Sequence, residues 1–563
     1  MTTPIGLLFS QVGYDLAMPK HAVVRGPSGL IADPDARWRL TKEGVTEFEL
    51  SGPVTKWGQM WGSHWWLVDF SELSQEGRYQ LTVHTSTVQP LQSTVFEVAP
   101  NVLWNKTWWH TSIDQAERRQ KLARNRVGWY DAGAEWQEAD SHAAFLVGLM
   151  DILEFAPDTL SELDRERLES QIVNGCDYLA LLQDLAAQLP QGQGAVVHQV
   201  WKFDQLILPG DVSKAAMSWA RAAQVLSDQH LSKREDYVSR ARAALAWLKT
   251  AQPLGDYGVS RSIHGIAPGT PIPNEWMTRD LMMELWAEVE MVRAGEDSRL
   301  EQCAELARQV LKRQISKSNP HGTLYGHFRT YESLDVAEKA WSHSACEGVL
   351  GADMGGHFPH YILPLLLLGD IAPDHPDAAL WRKAAEEFAF GYLLPASEAN
   401  PFNILPLGYF EGEGLLWFAG LWHGMNAAYA LTSALAFEFY RRLQDDRFLA
   451  VATGNLQWIA GLNAGVTAES LFASHMFSRD IAPGVALPCS MIQGFGAEQA
   501  GNWMQIRGSI CNGFSVGDQF RFDVDPTQAN DGPHAFTDED WISHGGAWLS
   551  ALSRWTAIST QRS

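Results

Sequence analysis

The chain has 563 residues, more than one compact core organises, and so calls for two domains of which one is large. With 43 Lys and Arg against 66 Asp and Glu, the formal net charge of −23 argues against a nucleic-acid backbone or an anionic membrane surface as partner and leaves a neutral or cationic substrate. Five cysteines (Cys176, Cys303, Cys346, Cys489 and Cys511) without a C-x-x-C spacing give neither a disulfide framework nor a zinc pattern.

Met1 leads directly into an apparent strand with no basic segment, apolar segment or cleavage site, and no apolar run approaches the ~18–20 residues of a membrane span. A cytoplasmic protein with free thiols is the expectation. Residues 1–99 read as β structure: short alternating runs at His21–Arg25, Trp38–Thr41, Trp65–Asp69, Tyr79–His84 and Thr94–Val98 are separated by Gly, Pro, Ser and Asp turns, the pattern of a β-sandwich.

Gly128–His142 reads GWYDAGAEWQEADSH. Trp129, Tyr130 and Trp136 are flat surfaces flanking Asp131 and Glu135 beside a small-residue turn. Such a grouping suits a sugar site, because pyranose C–H faces stack on rings while carboxylates hold hydroxyls or a water. The bland alternative is a helix-entry loop with its aromatics in the core.

From residue 100 to 563 helical periods take over. Apolar residues recur at three- and four-residue spacing in Phe145–Phe155, Leu163–Leu182, Lys214–Leu226, Ala241–Leu248, Arg279–Val292, Leu300–Leu311, Ala337–Val349, Ile362–Leu368, Leu380–Leu394, Asn426–Leu443, Phe448–Ile459 and Trp541–Thr556. Helices in this number fit six hairpins closed into an (α/α)6 barrel, or an open helical array. No HExxH, Walker A loop or dinucleotide fingerprint occurs, and no cofactor or metal is called for.

Several stretches resemble glycoside hydrolase family 9, the cellulase-like inverting glycosidases. FSQVGYDLAMPKHAVV at the N-terminus is similar to the immunoglobulin-like module that precedes many of its catalytic domains. Trp129–Ala134 resembles the WYDAGD signature, Pro209–Leu226 the GSDVAAETAAALAAAS helix, Leu421–Phe437 the W-G-S-N helix start, and Ser490–Gly496 (SMIQGFG) the SYVTGFG segment. Arg507 falls where H-H-R-x-S has its Arg, though Gln505 and Ile506 replace the histidines. Phe536–Arg554 is similar to N-E-V-A-x-D-Y-N-A-G-x-x-x-A-L-A, with Glu539 on the catalytic acid.

The resemblance implies a two-domain chain, an immunoglobulin-like β-sandwich followed by an (α/α)6 barrel, that cleaves β-linked oligosaccharides. Its implied catalytic pair is Glu539 as general acid and Asp131 on the water side; Trp129, Tyr130, Trp136, Arg507, His544, Trp422 and His423 would bind sugar. Read without it, Thr537-Asp538-Glu539-Asp540 is a helix N-cap. Inversion needs a second carboxylate ~6.5–9.5 Å from the acid to activate water, yet the signature's second Asp is Ala134 here. Three readings stay open: Asp131 or Glu135 serves as base, the protein binds sugar without hydrolysis, or Ala134 is an introduced knock-out. Loss of the paired histidines and an intracellular setting favour an exo-acting enzyme on short sugars, a β-glucosidase or exo-β-glucosaminidase. A polysaccharide lyase on the same fold is the remaining alternative.

Overall fold

The structure, a computed structural model, describes residues 5–131, 136–201, 204–253, 274–329, 331–333, 362–406, 408–410, 414–417, 426–463, 490–496, 506–511, 513 and 540–562. The N-terminal part is a sandwich of β1 (Gly6–Leu8), β2 (Tyr14–Asp15), β3 (His21–Gly26), β4 (Arg37–Lys42), β5 (Glu49–Met60), β6 (Ser63–Asp69), β7 (Gly77–Val83), β8 (Leu91–Gln92) and β9 (Phe96–Ala99). The strand order is β1-β3-β6-β5-β4-β7-β9-β2, with β8 on β7. β5 joins the two layers, since Glu49–Pro53 pairs with β4 and Val54–Met60 with β6. It escapes the alternation rule because it carries Gly52, Pro53 and Gly58 and leaves much of its length exposed. Gly52 is required: a Cβ there would meet Trp38 Cζ2 at 2.6 Å, so only glycine lets that indole lie across the strand. Tyr14, Val24, Trp38, Leu40, Trp66, Tyr79, Leu81 and Val98 fill the space between the layers.

Helices follow from residue 102: α1 (Val102–Trp109), α2 (Gln115–Leu122), α3 (Ala139–Phe155), α4 (Glu162–Ala186), α5 (Pro209–Val225), α6 (Leu231–Leu248), α7 (Thr278–Arg293), α8 (Leu300–Leu311), α9 (Leu363–Ile371), α10 (Ala378–Phe388), α11 (Leu394–Glu398), α12 (Asn426–Leu443), α13 (Arg447–Ile459) and α14 (Ile542–Arg562). The periodic segments expected between residues 145 and 311, and between 362 and 556, fall on these helices; Ala337–Val349 lies outside the described residues. The pair α1 and α2 was not foreseen. They are joined by a π-helical stretch, His110–Asp114, whose extra residue shifts the apolar stripe and blurs the 3.6-residue period.

The helices form two rings. α9, α7, α5, α3, α14 and α12 pack side by side in that order, and Arg442 at the end of α12 reaches back to the carboxylate of Asp370 on α9 at 2.7 and 2.6 Å. These inner helices are buried nearly all round; α3 has no exposed residue and pairs with α14 so closely that a Cβ on Gly148 would strike Gly546 O at 2.2 Å. Outer helices such as α8 and α10 bury one face only. This is the (α/α)6 arrangement. Among the described residues no helix is long and apolar enough to cross a membrane.

The sandwich is seated on the barrel. Leu8, Val12, Val23 and Trp65 share a core with the helices, Phe402 packs on Trp65 edge to face at 5.3 Å, and Gln11 N–H donates to the Ala460 carbonyl at 2.8 Å.

Candidate active site

Residues 127–131 and 136–138 lie in the chain between α2 and α3. Gly128 has φ +70°, and a Cβ there would meet His142 Nε2 and Tyr178 at 2.6 Å. That backbone places the Trp129 N–H on His142 Nε2 at 2.9 Å, so the proton of this imidazole is on Nδ1, which donates to the Glu138 carbonyl at 2.7 Å. Burial pushes the pKa of His142 down to about 3, and the ring stays neutral. It is sandwiched between Trp129 at 5.2 Å and Tyr178 at 4.1 Å. Trp129 is therefore a core residue: it has no exposed surface, its indole N–H is held by Gln171 Oε1 at 2.9 Å, and it offers no ring face to a sugar.

Asp131 is fully buried as well. Its N–H donates to the Trp136 carbonyl at 3.0 Å, its Oδ2 accepts the Glu138 N–H, and its Oδ1 has no partner among the described residues. Burial, then the charges of Glu138 and Asp140, hold its carboxyl well above the usual carboxylate range.

Two chain segments remote in sequence meet at this turn. Arg119, on α2, donates to the carbonyls of Tyr130 (3.0 Å) and Asp131 (3.2 Å) and pairs with Asp540 Oδ2 at 2.6 Å. The Asp131 carbonyl also accepts the Ile542 N–H at 2.7 Å, and Asp540 forms an antiparallel bridge with Cys511. The residue after position 539 is thus fastened to the residue that opens the turn. Glu539, Ala134, Glu135, Trp422 and His423 lie outside the described residues.

The other expected sugar contacts divide. Tyr130 and Trp136 are half-buried; Trp136 lies 6.4 Å from Trp201, a ring capped by the Arg124 guanidinium at 4.6 Å. His544 is buried, and burial followed by the Arg119 charge lowers its pKa to about 3; it is a neutral interior ring and not a rim contact. Arg507 is exposed with its guanidinium 4.7 Å over the Phe495 ring, and among the described residues it pairs with no carboxylate.

Next to the turn lies a cluster that the sequence reading passed over. His198 Nδ1 is 2.8 Å from Asp211 Oδ2 and its Nε2 is 3.5 Å from Glu138 Oε1. Burial opposes a charge on this ring, but the hydrogen bonds and charges of Asp211 and then Glu138 prevail and raise its pKa well above the ordinary histidine value. Burial and the charge of Glu138 lift Asp140 to about 7, against the pull of Lys214. Donor atoms of Asp140, His198 and Asp211 lie within 4.8 Å of one another, close enough for a cation. The buried Lys214 adds a positive charge beside Asp140. His198 was hard to find because it sits alone in an irregular loop about sixty residues after the signature. Arg119 was missed with its helix.

Comparison with known proteins places the fold. Residues 6–88 match the family model described as the cellulase N-terminal immunoglobulin-like domain. No curated protein matches by sequence. Among solved structures, a metagenome-derived endoglucanase of glycoside hydrolase family 9 is similar with a TM-score of 0.64 at 16% identity over 98% of this chain and 99% of that one. A family 9 protein of Bacteroides ovatus follows with a TM-score of 0.60 at 14% identity over 98% and 99%. A thermostable endoglucanase of Alicyclobacillus acidocaldarius has a TM-score of 0.58 at 14% identity over 98% and 99%. From end to end the chain has the fold of the family 9 endoglucanases, a cellulase-type immunoglobulin-like domain followed by an (α/α)6 barrel.

Proposed function

We propose that this protein is a glycoside hydrolase that cleaves β-linked oligosaccharides with inversion, with Glu539 as the general acid. The observation that carries the reading is the clamp of Arg119, which ties the Asp131 turn to Asp540. An inverting glycosidase needs an acid and a water-holding carboxylate fixed on opposite sides of one sugar ring, and here the segments bearing the two candidate positions are bound through one buried guanidinium. The half-buried aromatic pair Trp136 and Trp201 beside the turn supplies stacking surface.

The solved neighbours named as endoglucanases cut within chains. Here the replacement of the family's paired histidines by Gln505 and Ile506 favours short substrates attacked at their ends, a β-glucosidase or exo-β-glucosaminidase. The acidic surface tolerates an amino sugar. Buried free thiols at Cys176, Cys303 and Cys511 support a reducing compartment. A domain boundary at residue 99/100, between β9 and α1, completes the reading.

Ala134 favours a second reading, a sugar-binding protein without turnover, because a methyl group neither takes a proton nor orients water. Release of reducing sugar from a panel of aryl β-glycosides and short β-linked oligosaccharides separates the two. Turnover that falls by ~10²–10⁴ in Glu539→Gln supports the hydrolase; saturable binding with no turnover supports the alternative.

A further inference from the structure

A group that takes a proton from water has to reach water. Asp131 does not, being enclosed with one oxygen committed to the Glu138 N–H, and position 134 carries no carboxyl. Glu138 does: 18% of its side chain is exposed. Its backbone is extended (φ −81°, ψ 144°), and along Trp136-Gln137-Glu138 the burial runs half-buried, buried, half-buried. Gln137 turns inward to the Val127 carbonyl, so Trp136 and Glu138 share the opposite, outward face.

Behind Glu138 stands a support that a merely solvated carboxylate lacks. Its Oε1 faces His198 Nε2 at 3.5 Å, and the other nitrogen of that ring is fixed by Asp211 at 2.8 Å. The two strands of chain are tied as well, since the Ala139 N–H donates to the His198 carbonyl at 2.8 Å. Glu138 is also the N-cap residue of α3, where the positive end of the helix dipole steadies a negative group.

We propose that Glu138 is the carboxylate that activates the hydrolytic water, with His198 and Asp211 as the pair that positions it. The assignment rests on the hydrolase reading above. In the step, Glu138 takes one proton from water while the water oxygen bonds to the anomeric carbon. The glycosidic C–O bond breaks with its electron pair on the leaving oxygen, which takes the proton of Glu539. Glu138 ends protonated and Glu539 ionised, and exchange with solvent resets both; no oxidant or cofactor enters.

The test compares two substrates. A 2,4-dinitrophenyl β-glycoside has a leaving group that needs no acid, whereas every substrate needs the base. Glu138→Gln is expected to lower kcat ~10²–10⁴-fold on both the dinitrophenyl glycoside and an oligosaccharide, with KM changed little. Glu539→Gln is expected to lose rate on the oligosaccharide alone. Sodium azide is expected to restore Glu138→Ala on the dinitrophenyl glycoside and yield the α-glycosyl azide, a product only a folded site can make. His198→Gln, which keeps a donor toward Glu138, should retain more kcat than His198→Ala, at unchanged KM. An active unaltered chain in which Glu138→Gln turns over at the normal rate overturns this assignment and leaves the hydrolase reading standing. An unaltered chain that hydrolyses no glycoside overturns that reading itself.

Discussion

Arg119 Nη2 stands 2.6 Å from Asp540 Oδ2 with neither side chain exposed, and the same guanidinium holds the carbonyls of Tyr130 and Asp131. One residue of an outer helix thereby sets the spacing between the turn and the C-terminal segment. Removing one partner of a buried pair leaves the other charged and unsatisfied, at a cost of about 3–5 kcal/mol. Arg119→Met should lower unfolding stability in urea by this order and abolish turnover. Asp540→Asn, which keeps an acceptor for the guanidinium, should be the milder change.

Trp201 should matter for sugar binding and little for chemistry. Its ring and Trp136 sit 6.4 Å apart with Arg124 capping the former. Stacking at such a site contributes about 0.5–1.5 kcal/mol. Trp201→Ala is then expected to raise KM or Kd for an oligosaccharide up to ~10-fold with kcat nearly unchanged, measured by steady-state kinetics and tryptophan fluorescence titration.

His142 makes stability depend on pH in a stated direction. Its folded pKa of about 3 lies below the ~6.5 of an unfolded histidine, so the unfolded chain takes up a proton in that window and the folded one does not. This residue's contribution is present above pH ~6.5 and is lost as pH falls toward 3. His142→Gln loses the stacking on Trp129 and Tyr178 and should be less stable at pH 7.5. Its deficit relative to the unaltered chain should shrink by about 1.4 kcal/mol per pH unit below pH 6, as read by urea unfolding at several pH values.

At the other end of α3, Asp151 receives hydrogen bonds from Arg221, Arg554 and Ser550, on the inner helices α5 and α14. Burial alone would raise its pKa; the charges of Arg554 and Arg221 outweigh it and bring it down to about 2. A depressed carboxylate contributes stability above its unfolded pKa of ~3.9 and loses it as pH falls through 2. Asp151→Asn should cost about 3–5 kcal/mol at neutral pH, less below pH 3, with no change in KM.

The parts of the fold that are regular announce themselves in the amino-acid order. The inner helix Asn426–Leu443 and the outer helix Leu300–Leu311 coincide with their apolar periods because burial on one face or all round dictates where Leu, Ala and Phe stand. The helix through His110 and the strand through Pro53 do not, since a π turn and a proline-glycine break remove the period. At the candidate site the aromatic and acidic composition of residues 128–142 singles out the stretch but not each residue's surroundings. Trp129 is core, while Glu138 in the same stretch reaches solvent, and only the meeting of residues 119, 131, 138, 198 and 540 in space tells them apart.

The most direct measurement is the hydrolysis of a cello-oligosaccharide and of a 2,4-dinitrophenyl β-glycoside by the unaltered chain and by Glu539→Gln, with the anomer of the first product followed by NMR. The account predicts turnover with inversion in the unaltered chain. It predicts a ~10²–10⁴-fold loss in the variant on the oligosaccharide and a far smaller loss on the dinitrophenyl glycoside. Equal loss on both substrates, retention of configuration, or full activity of Glu539→Gln would contradict it.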